Sequence, residues 1–252
     1  MSVRPGTRAI VLAAGVARRL APLTDRTNKC LLPVGGRPLL DRMLSALVAV
    51  GVTETTLVVG HCADQVRALA GERFAGMPIR YIDNPDYRRG SVLSLYAARD
   101  VLTSGPALVM DADVLFPREF LRRLLTAPAH CAVLVDRGFA DTGEEQKAYT
   151  HAGRVVTLSK KAVPPSWDAV GENVGFFRTD DAGADLVGLL EKVIREGTGL
   201  DEYEEGINLL MQRHQVQPVD VTGLAWTEID FVEDLRRAEA DVLPHVAALD
   251  GA

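Results

Sequence analysis

Carboxylates stand at alternate positions in two short apolar segments of this 252-residue chain. Asp111 and Asp113 end the segment LVMDAD, and Glu228 and Asp230 lie in the later segment WTEID. Because side chains alternate along a strand, each pair is predicted to face one side of its strand, at the end where α/β sheets bind ligands. Carboxylate oxygens suit Mg²⁺, which commonly bridges protein and phosphate groups. The alternative for the first pair is that one aspartate forms a cap or an ion pair while the other is solvated.

A loop of small residues and cations follows the first apolar run. It reads LAAGVARRL and comprises Leu12, Ala13, Ala14, Gly15, Val16, Ala17, Arg18, Arg19 and Leu20, and Lys29 follows shortly after it. Small residues let backbone N–H groups approach an anion, and arginine supplies a planar fork for phosphate oxygens. The loop has neither the P-loop nor the dinucleotide-binding glycine pattern. It therefore indicates a triphosphate site of another type, or an ordinary turn with solvated arginines.

Alternating apolar and amphipathic segments predict the framework that positions these residues. The predicted buried strands are 9–12, 56–59, 79–82, 107–110 and 131–135, and the segments with helical spacing are 39–50, 63–74, 92–102 and 118–125. Parallel neighbours require a crossover helix, so this rhythm predicts a Rossmann-like, doubly wound α/β fold with a mixed, mainly parallel sheet.

The remaining chain is less regular. A hairpin is predicted at 146–150 and 154–159, then a strand at 170–177, helices at 184–195 and 203–212, strands at 216–221 and 226–229, and a closing helix at 232–248. No repeat or linker-like segment divides the sequence. We therefore expect a single domain over 1–252, with halves 1–135 and 136–252 and a small sheet extension over the site.

The composition argues against several classes of protein. The 28 Lys+Arg against 34 Asp+Glu give a net charge of −6, which disfavours a nucleic-acid-binding surface. Membrane spanning is disfavoured by a composition close to the soluble average. Cys30, Cys62 and Cys131 show neither disulfide nor zinc spacing, which favours a reducing cytoplasm. Segment 9–17 is similar to a secretory signal, but it is short and arginines follow it directly.

The small-residue loop and the segment after it resemble one enzyme family. LAAGVARRL, followed by NKCLLPVGGRPLL at 28–40, is similar to the LAAGxGxRL and PKxLLPVxGxPLL blocks of nucleotidyltransferases that make NDP-sugars, CDP-choline and related activated compounds. The resemblance implies a GT-A-like nucleotidyltransferase fold. In it, residues 12–15 and Arg18 wrap a nucleoside triphosphate, while Arg19 and Lys29 bind its phosphates as catalytic groups. Ala17 replaces the second glycine of the pattern, and Asn28 replaces the usual proline, a change typical of the choline-phosphate branch.

The same resemblance implies the metal ligands. WTEIDFVEDL is similar to the closing motif W-x-[ED]-[IV]-D-x-x-x-D-L, which carries Asp230 over as a ligand. Asp113 is implied as the other ligand and Asp111 as its support on the nucleotide side, with Mg²⁺ as the expected cofactor. Ser91, in the segment NPDYRRGSVLSL, stands where many relatives have asparagine. We expect it either to contact the base or to cap the following helix.

Four later segments resemble the phosphocholine and phosphonate cytidylyltransferase branch, namely TGEEQK at 142–147, SKK at 159–161, GENVGFF at 171–177 and YEEG at 203–206. The resemblance implies that Lys160 meets the acceptor phosphate as a catalytic group, and that Lys147, Glu172 and Glu204 also line the acceptor site. A quaternary ammonium usually requires an aromatic cage, and few aromatic residues are near in sequence. A primary amine or hydroxyl on a phosphonate therefore fits at least as well as choline. Each glutamate could instead be a solvated surface residue.

These resemblances imply an Mg²⁺-dependent nucleotidyltransferase that transfers CMP from CTP to a small phosphonate or phosphate monoester and releases pyrophosphate. Because the acceptor oxygen is already anionic, the expected in-line attack on the α-phosphorus needs no general base. We expect a cytoplasmic protein, compatible with a homodimer, with no nucleic-acid or membrane partner. The alternatives are a sugar-1-phosphate guanylyl- or uridylyltransferase, a glycosyltransferase with a DxD metal motif, and a non-catalytic nucleotide-binding protein.

Overall fold

A computed structural model describes residues 6–251 of the chain. Its strands are β1 (Arg8–Ala13), β2 (Pro33–Val34), β3 (Arg37–Pro38), β4 (Glu54–Val59), β5 (Arg73–Phe74), β6 (Met77–Asp83), β7 (Ala107–Asp111), β8 (Val114–Leu115), β9 (Cys131–Asp136), β10 (Lys147–His151), β11 (Arg154–Ser159), β12 (Ala169–Thr179), β13 (Val216–Asp220) and β14 (Thr227–Glu228). Its helices are α1 (Leu39–Ala49), α2 (Ala63–Ala70), α3 (Ser91–Ala97), α4 (Arg99–Leu102), α5 (Glu119–Thr126), α6 (Gly183–Glu196), α7 (Tyr203–Leu210), α8 (Val232–Arg237) and α9 (Leu243–Asp250). None of the described helices is long and apolar enough to cross a bilayer.

Ten strands form one mixed sheet in the order β10-β11-β13-β9-β12-β7-β1-β4-β6-β5, which confirms the predicted Rossmann-like α/β class. Pairing is parallel between β1 and β4, β1 and β7, β4 and β6, and β9 and β13. Parallel pairing holds for the β7-β1-β4-β6 part and for β9 with β13, whereas β12 inserts antiparallel between β7 and β9. β10 pairs with both β11 and β12, so β10, β11, β13, β9 and β12 close a ring of pairings, which is the sheet extension.

Most predicted elements are present, and three differ from the prediction. The helix predicted at 63–74 ends at Ala70, because Gly71 has a φ of 61° and the chain then turns back to pair Arg73–Phe74 with β6. The helix predicted at 92–102 is divided into α3 and α4 at Ala98. The closing helix contains a π-helical turn, Ala238–Val242, between α8 and α9.

Apolar side chains cover both faces of the sheet. In β1, Ala9 and Val11 pack in the core formed with α1, α2 and α5, while Ile10 packs in the core formed with α3, α6 and α7. A third cluster joins β2 and β8 to the C-terminal helices. Each fully buried leucine or phenylalanine in these cores contributes roughly 1.5–3 kcal/mol of hydrophobic stabilisation. The cores therefore fix the carboxyl ends of β1 and β7 rigidly beside each other, where the predicted site residues lie.

Candidate active site

The carboxylates predicted from the sequence meet where β7 ends. Asp111 is the last residue of β7, and the chain continues through Asp113 into β8. β8 pairs antiparallel with β14, which sets Glu228 opposite Val114. The backbone N–H of Ile229 also donates to the Asp113 carbonyl oxygen at 3.0 Å. This short ribbon is what brings two segments that are distant in sequence into one site.

Asp113, Glu228 and Asp230 form an acidic cluster in which one carboxylate oxygen from each residue lies within 4.8 Å of the others. Oδ1 of Asp113 is buried and has no hydrogen-bond partner within residues 6–251. Desolvation at the cleft wall, with Asp113 and Asp230 nearby, raises the pKa of Glu228 to about 8. Three hard oxygen donors with an orphaned buried atom fit a divalent cation such as Mg²⁺. Asp113 and Asp230 were predicted as ligands, and Glu228 is a third candidate that the sequence placed beside them without a role.

Lys29 and Arg19 point into this cluster. Nζ of Lys29 lies 2.8 Å from Oδ2 of Asp113 and 2.5 Å from Oδ1 of Asp230. Arg19 donates to the other oxygen of Asp230 and lies 3.7 Å from Glu144. Burial opposes the charged form of Lys29, but Asp113 and Asp230 outweigh it and raise its pKa above the ordinary range. Both side chains predicted to bind phosphate therefore meet at the acidic cluster, and Asp113 and Asp230 hold Lys29 in its charged form.

Asn28 explains how Lys29 is positioned. Its amide donates to the Ala13 and His61 carbonyl oxygens, each at 2.8 Å, and its Oδ1 accepts from the Cys30 N–H at 3.1 Å. The side chain therefore connects the ends of β1 and β4 to the short turn Lys29–Leu31. Proline, the usual residue of the family pattern, could make none of these side-chain bonds.

The loop after β1 encloses a small cavity of about 110 Å³, called the loop cavity, which is lined by Leu12, Ala13, Gly15, Ala17, Asn28, Lys29, Cys30, Ala112 and Asp113. Ala13 and Ala14 are buried, and a Cβ on Gly15 would meet no protein atom within 4 Å. Ala17 adopts a left-handed conformation with φ 52°, which explains why the family pattern has glycine there. Arg18 is exposed and, like Ala14 and Arg19, does not line this cavity, so its contact with a nucleotide stays a prediction.

Asp111 is held by a residue that the sequence analysis did not single out. The Tyr203 hydroxyl donates to Oδ2 of Asp111 at 2.9 Å. Burial, with Asp113 and Glu204 nearby, raises the pKa of Asp111 well above its ordinary value. Gly175, with φ 83°, is required here because a Cβ would come 2.2 Å from Oδ2 of Asp111. No spacing rule in the sequence links Tyr203 to Asp111, since they meet only through the packing of α7.

The Ser91 side chain forms its hydrogen bond with the start of α7 and not with α3, the helix in which it lies. Gly90, not Ser91, is the N-cap of α3, and α3 has no side-chain cap. The Ser91 hydroxyl instead accepts from the Tyr203 N–H at 2.9 Å, and the Ser91 N–H donates to Glu202 at 3.1 Å. The capping interpretation is therefore wrong, and Ser91 lies at the wall of the cleft beside Asp111.

A central cleft of about 380 Å³ adjoins the loop cavity, and its lining includes Gly15, Arg19, Ser91, Asp111, Asp113, Lys160, Glu204, Glu228 and Asp230. Lys160 follows β11 and has no hydrogen bond or ion pair within 4.0 Å among residues 6–251. Lys160 lies close enough to Glu204 and Glu228 to oppose part of the rise in pKa that burial causes in both carboxyl groups. Glu204 is only 9% exposed, and its burial raises its pKa to about 7. Lys160, which has no partner among the described residues, therefore lines the same cleft as the acidic cluster.

Glu172 lies in a neighbouring acidic cavity, also of about 380 Å³, which is lined by Arg19, Asp136, Phe139, Ala140, Thr142, Glu144, Glu145, Glu172, Trp226, Thr227, Glu228, Asp230, Phe231, Asp234 and Arg237. Burial, with Glu145 and Asp136 nearby, raises the pKa of Glu172 to about 7. Lys147 pairs with Glu172 in the strand register, but its Nζ lies 2.7 Å from Asp141 and it lines neither cavity. Glu172 and Glu204 were predicted to share one site, and the structure assigns them to adjoining cavities.

Phe139, Trp226 and Phe231 are aromatic residues of the acidic cavity that the sequence analysis did not associate with the acceptor. The indole N–H of Trp226 donates to Asp136 at 2.8 Å, and the Arg19 guanidinium lies 5.0 Å from the ring centre of Phe231. Trp226 and Phe231 are distant in sequence from the predicted acceptor segments. Phe139 lies just before the first of these segments and outside its motif. The closing motif contains both Trp226 and Phe231, but only Trp226 occupies a position that the motif specifies.

The mixed sheet, with an acidic cluster where β7 ends, is the arrangement expected for a nucleotidyltransferase fold, and comparison with known proteins identifies the family. The chain belongs to the family of the MobA-like NTP transferase domain, which matches residues 9–176. It is 34% identical to the CMP-5′-(3-aminopropyl)phosphonate synthase of Streptomyces rubellomurinus over 92% of this chain, but it spans only 38% of that protein's length. It is 31% identical to the 2-aminoethylphosphonate cytidylyltransferase of Lancefieldella rimae, over 97% of this chain and 92% of that protein.

A solved structure shows the same fold. The inositol-1-phosphate CTP transferase from T. maritima superposes with a TM-score of 0.80 at 20% identity, and the match covers 97% of this chain and 98% of the other. The fold expected from the sequence is therefore confirmed over nearly the whole chain.

Proposed function

We propose that this protein transfers CMP from CTP to an aminoalkyl phosphonate and releases pyrophosphate. The observation that carries the proposal is Lys160, which has no partner among the described residues and lines the same cleft as the Lys29-filled acidic cluster. Two separate cationic positions suit a reaction that joins two phosphorus-containing anions. The relatives named as acting on 3-aminopropyl- and 2-aminoethylphosphonate support CTP and a phosphonate as the pair.

Separate groups of residues bind the two substrates. The small-residue loop and Lys29, with Arg19, hold the triphosphate, and Lys160 holds the phosphonate so that its oxygen faces the α-phosphorus. Because that oxygen is anionic at neutral pH, alignment and charge neutralisation supply the catalysis and no side chain must remove a proton. When bound by Asp113, Asp230 and Glu228, Mg²⁺ would supply positive charge to the phosphate oxygens.

The acidic cavity supports an amine on the acceptor. It adjoins the central cleft, with which it shares Arg19, Glu228 and Asp230. Glu172 faces it beside two further carboxylates, which complement a primary ammonium a few bonds away from the phosphonate. The cytoplasm is the proposed location, and the three free cysteines support it.

Phosphocholine is the second candidate acceptor, because Phe139, Trp226 and Phe231 line the same cavity. Aromatic faces beside carboxylates can bind a quaternary ammonium.

The test is pyrophosphate release with Mg²⁺ and each of CTP, UTP, GTP and ATP, crossed with 2-aminoethylphosphonate, 3-aminopropylphosphonate, 2-hydroxyethylphosphonate, phosphocholine and glucose 1-phosphate. We expect turnover with CTP and an aminoalkyl phosphonate. Turnover with a sugar phosphate and another nucleotide would replace the proposal by an NDP-sugar synthesis. Binding of CTP without release of its pyrophosphate in the presence of any of these acceptors would support the glycosyltransferase or non-catalytic alternatives.

A further inference from the structure

A fourth cavity, of about 270 Å³, lies on another part of the molecule and shares no lining residue with the loop cavity, the central cleft or the acidic cavity. It is formed by α1, by the connection from β8 to α5, and by the end of α9. Three arginines line it, namely Arg37, Arg42 and Arg118, together with Ser45 and Asp250. We call it the arginine cavity.

Two of the three arginines have counter-charges. Arg37 pairs with Asp41 on the next turn of chain and also donates to the Ser45 hydroxyl. Arg118 lies 3.3 Å from Asp250, and that carboxylate also accepts from the Arg118 backbone N–H at 2.9 Å. Asp41 and Asp250, the carboxylates of these two pairs, are therefore each engaged by an arginine other than Arg42.

Arg42 is not paired in this way. It donates to the Val34 carbonyl oxygen at 2.7 Å, while its Nε is buried without a hydrogen-bond partner. No carboxylate of residues 6–251 lies within ion-pair distance of its guanidinium. Desolvation and the like charge of Arg37 lower the pKa of Arg42. Asp41, which is already paired with Arg37, offsets this effect only in part. A buried donor without an acceptor is costly, unless a ligand supplies one.

We propose that the arginine cavity binds a small, multiply charged oxyanion of the phosphate class. Arginine presents a planar fork that matches phosphate oxygens, and the Ser45 hydroxyl adds a donor at the same wall. The cavity lies behind Leu115, which pairs with Thr227 in the ribbon that carries Glu228. An anion bound here contacts the back of the strand that follows Asp113, so the cavity is an effector site rather than a second reaction centre.

The test is titration calorimetry of the full chain with phosphate and with pyrophosphate, in EDTA so that no metal draws the anion to the acidic cluster. We expect one site, and we expect Arg42→Gln to weaken it by about tenfold or more, the loss typical of one charged hydrogen-bonding group. Arg122→Gln is the matched control, because Arg122 is an exposed arginine on α5 that lines none of the four cavities. Tighter binding of pyrophosphate identifies the released product as the ligand, and equal affinities identify free phosphate.

A second variant covers the case in which Arg42→Gln disturbs folding. Ser45→Asp places a carboxylate inside the cavity, so we expect it to abolish anion binding while thermal stability is kept or raised. The proposal is overturned if the wild-type chain binds neither anion at millimolar concentration. It is equally overturned if Lys29→Met removes the binding while Arg42→Gln and Ser45→Asp leave it intact, because the anion would then occupy the central cleft.

Discussion

Nζ of Lys29 lies 2.5 Å from Oδ1 of Asp230, so the cation implied for the triphosphate rests on a carboxylate implied for the metal. Arg19 donates to the second oxygen of the same carboxylate. If the triphosphate binds Lys29 and Arg19 without a metal, the ion pairs break and the carboxylates are left unpaired. If the metal binds the carboxylates without the triphosphate, the two cations are left unpaired. When both ligands arrive, the cations transfer to phosphate and the carboxylates to the metal, so no charge is left without a partner.

Metal and nucleotide binding are therefore expected to be strongly coupled. Calorimetry should show weak binding of Mg²⁺ alone and of CTP in EDTA, and binding at least about tenfold tighter when both are present, a coupling of about 1.4 kcal/mol. Lys29→Met should strengthen the binding of Mg²⁺ alone, because the carboxylates are freed, and weaken the binding of CTP with Mg²⁺. Independent binding of the two ligands, with no effect of Lys29→Met on Mg²⁺, would contradict this interpretation.

Removal of one charge from the acidic cluster should abolish most turnover. We expect Asp113→Asn and Asp230→Asn each to reduce kcat for pyrophosphate release by roughly 10²-fold or more, as for other preorganised electrostatic groups. Asp64→Asn, at an exposed position in the first turn of α2, is the control and should keep wild-type kcat. Circular dichroism would show that the fold is intact. Near wild-type rates at saturating Mg²⁺ would remove both residues from the metal site.

Lys160 and Lys161 offer a matched pair for the acceptor site. Lys160 lines the central cleft, whereas Lys161 is exposed and lines none of the cavities described above. Lys160→Ala should raise the KM for the phosphonate far more than the KM for CTP, because it removes the ammonium that faces the acceptor. Lys161→Ala should change neither constant. Equal increases in both constants for Lys160→Ala would assign that lysine to the triphosphate.

Glu172 should make the preference for an amine dependent on pH. Because burial and the nearby carboxylates raise its pKa to about 7, Glu172 is neutral below that pH and anionic above it. The ratio of kcat/KM for 2-aminoethylphosphonate to that for 2-hydroxyethylphosphonate should therefore rise as pH increases through about 7. Because the ammonium lowers the second pKa of the phosphonate, the kcat/KM of each acceptor must first be corrected for that acceptor's own phosphonate ionisation, measured by separate titration.

Glu172→Gln should make this ratio low and independent of pH, and Glu233→Gln, on the exposed face of α8, should preserve the wild-type profile. If turnover with both acceptors is retained and the ratio is flat in the wild type, the amine does not bind at Glu172, while the transferase activity itself stands.

The sequence predicted the parts of the site that lie within one strand or loop. Asp111 and Asp113 follow a buried strand, and strand periodicity is enough to place both at the edge of the sheet. Lys29 and Asp230 came from the family resemblance, because no local pattern shows that segments 201 residues apart meet. The contact depends on β8 pairing with β14, two strands of two residues each, which are too short for a periodic signal.

Contacts that depend on packing between helices escaped prediction. Tyr203 reaches Asp111 only because α7 packs on the same side of the sheet as α3, where Ser91 accepts from its N–H. The cavity aromatic Phe139 comes from a loop without a recognisable pattern, and Phe231 occupies an unspecified position of the closing motif. The antiparallel insertion of β12 was likewise missed, since an apolar strand has the same appearance in either direction.

Glu204 should make the stability of the fold fall as pH rises. Its carboxyl has a pKa of about 7 in the folded protein, raised by burial from the ordinary value of 4.5. Between those two values the folded state holds a proton that the unfolded chain has released, so folding is disfavoured progressively as pH increases through this window.

Glu204→Gln removes this penalty. Thermal unfolding should show equal Tm values for the variant and the wild type near pH 5. At pH 8 the Tm of the variant should be higher by at least about 2–4 °C, the shift that each kcal/mol produces in a protein of this size. Glu205→Gln is the matched control, because Glu205 is exposed in the same first turn of α7 and experiences the same helix dipole. An equal rise in Tm for both variants would assign the effect to the dipole and the surface charge, and would show that the Glu204 carboxyl ionises without penalty in the folded protein.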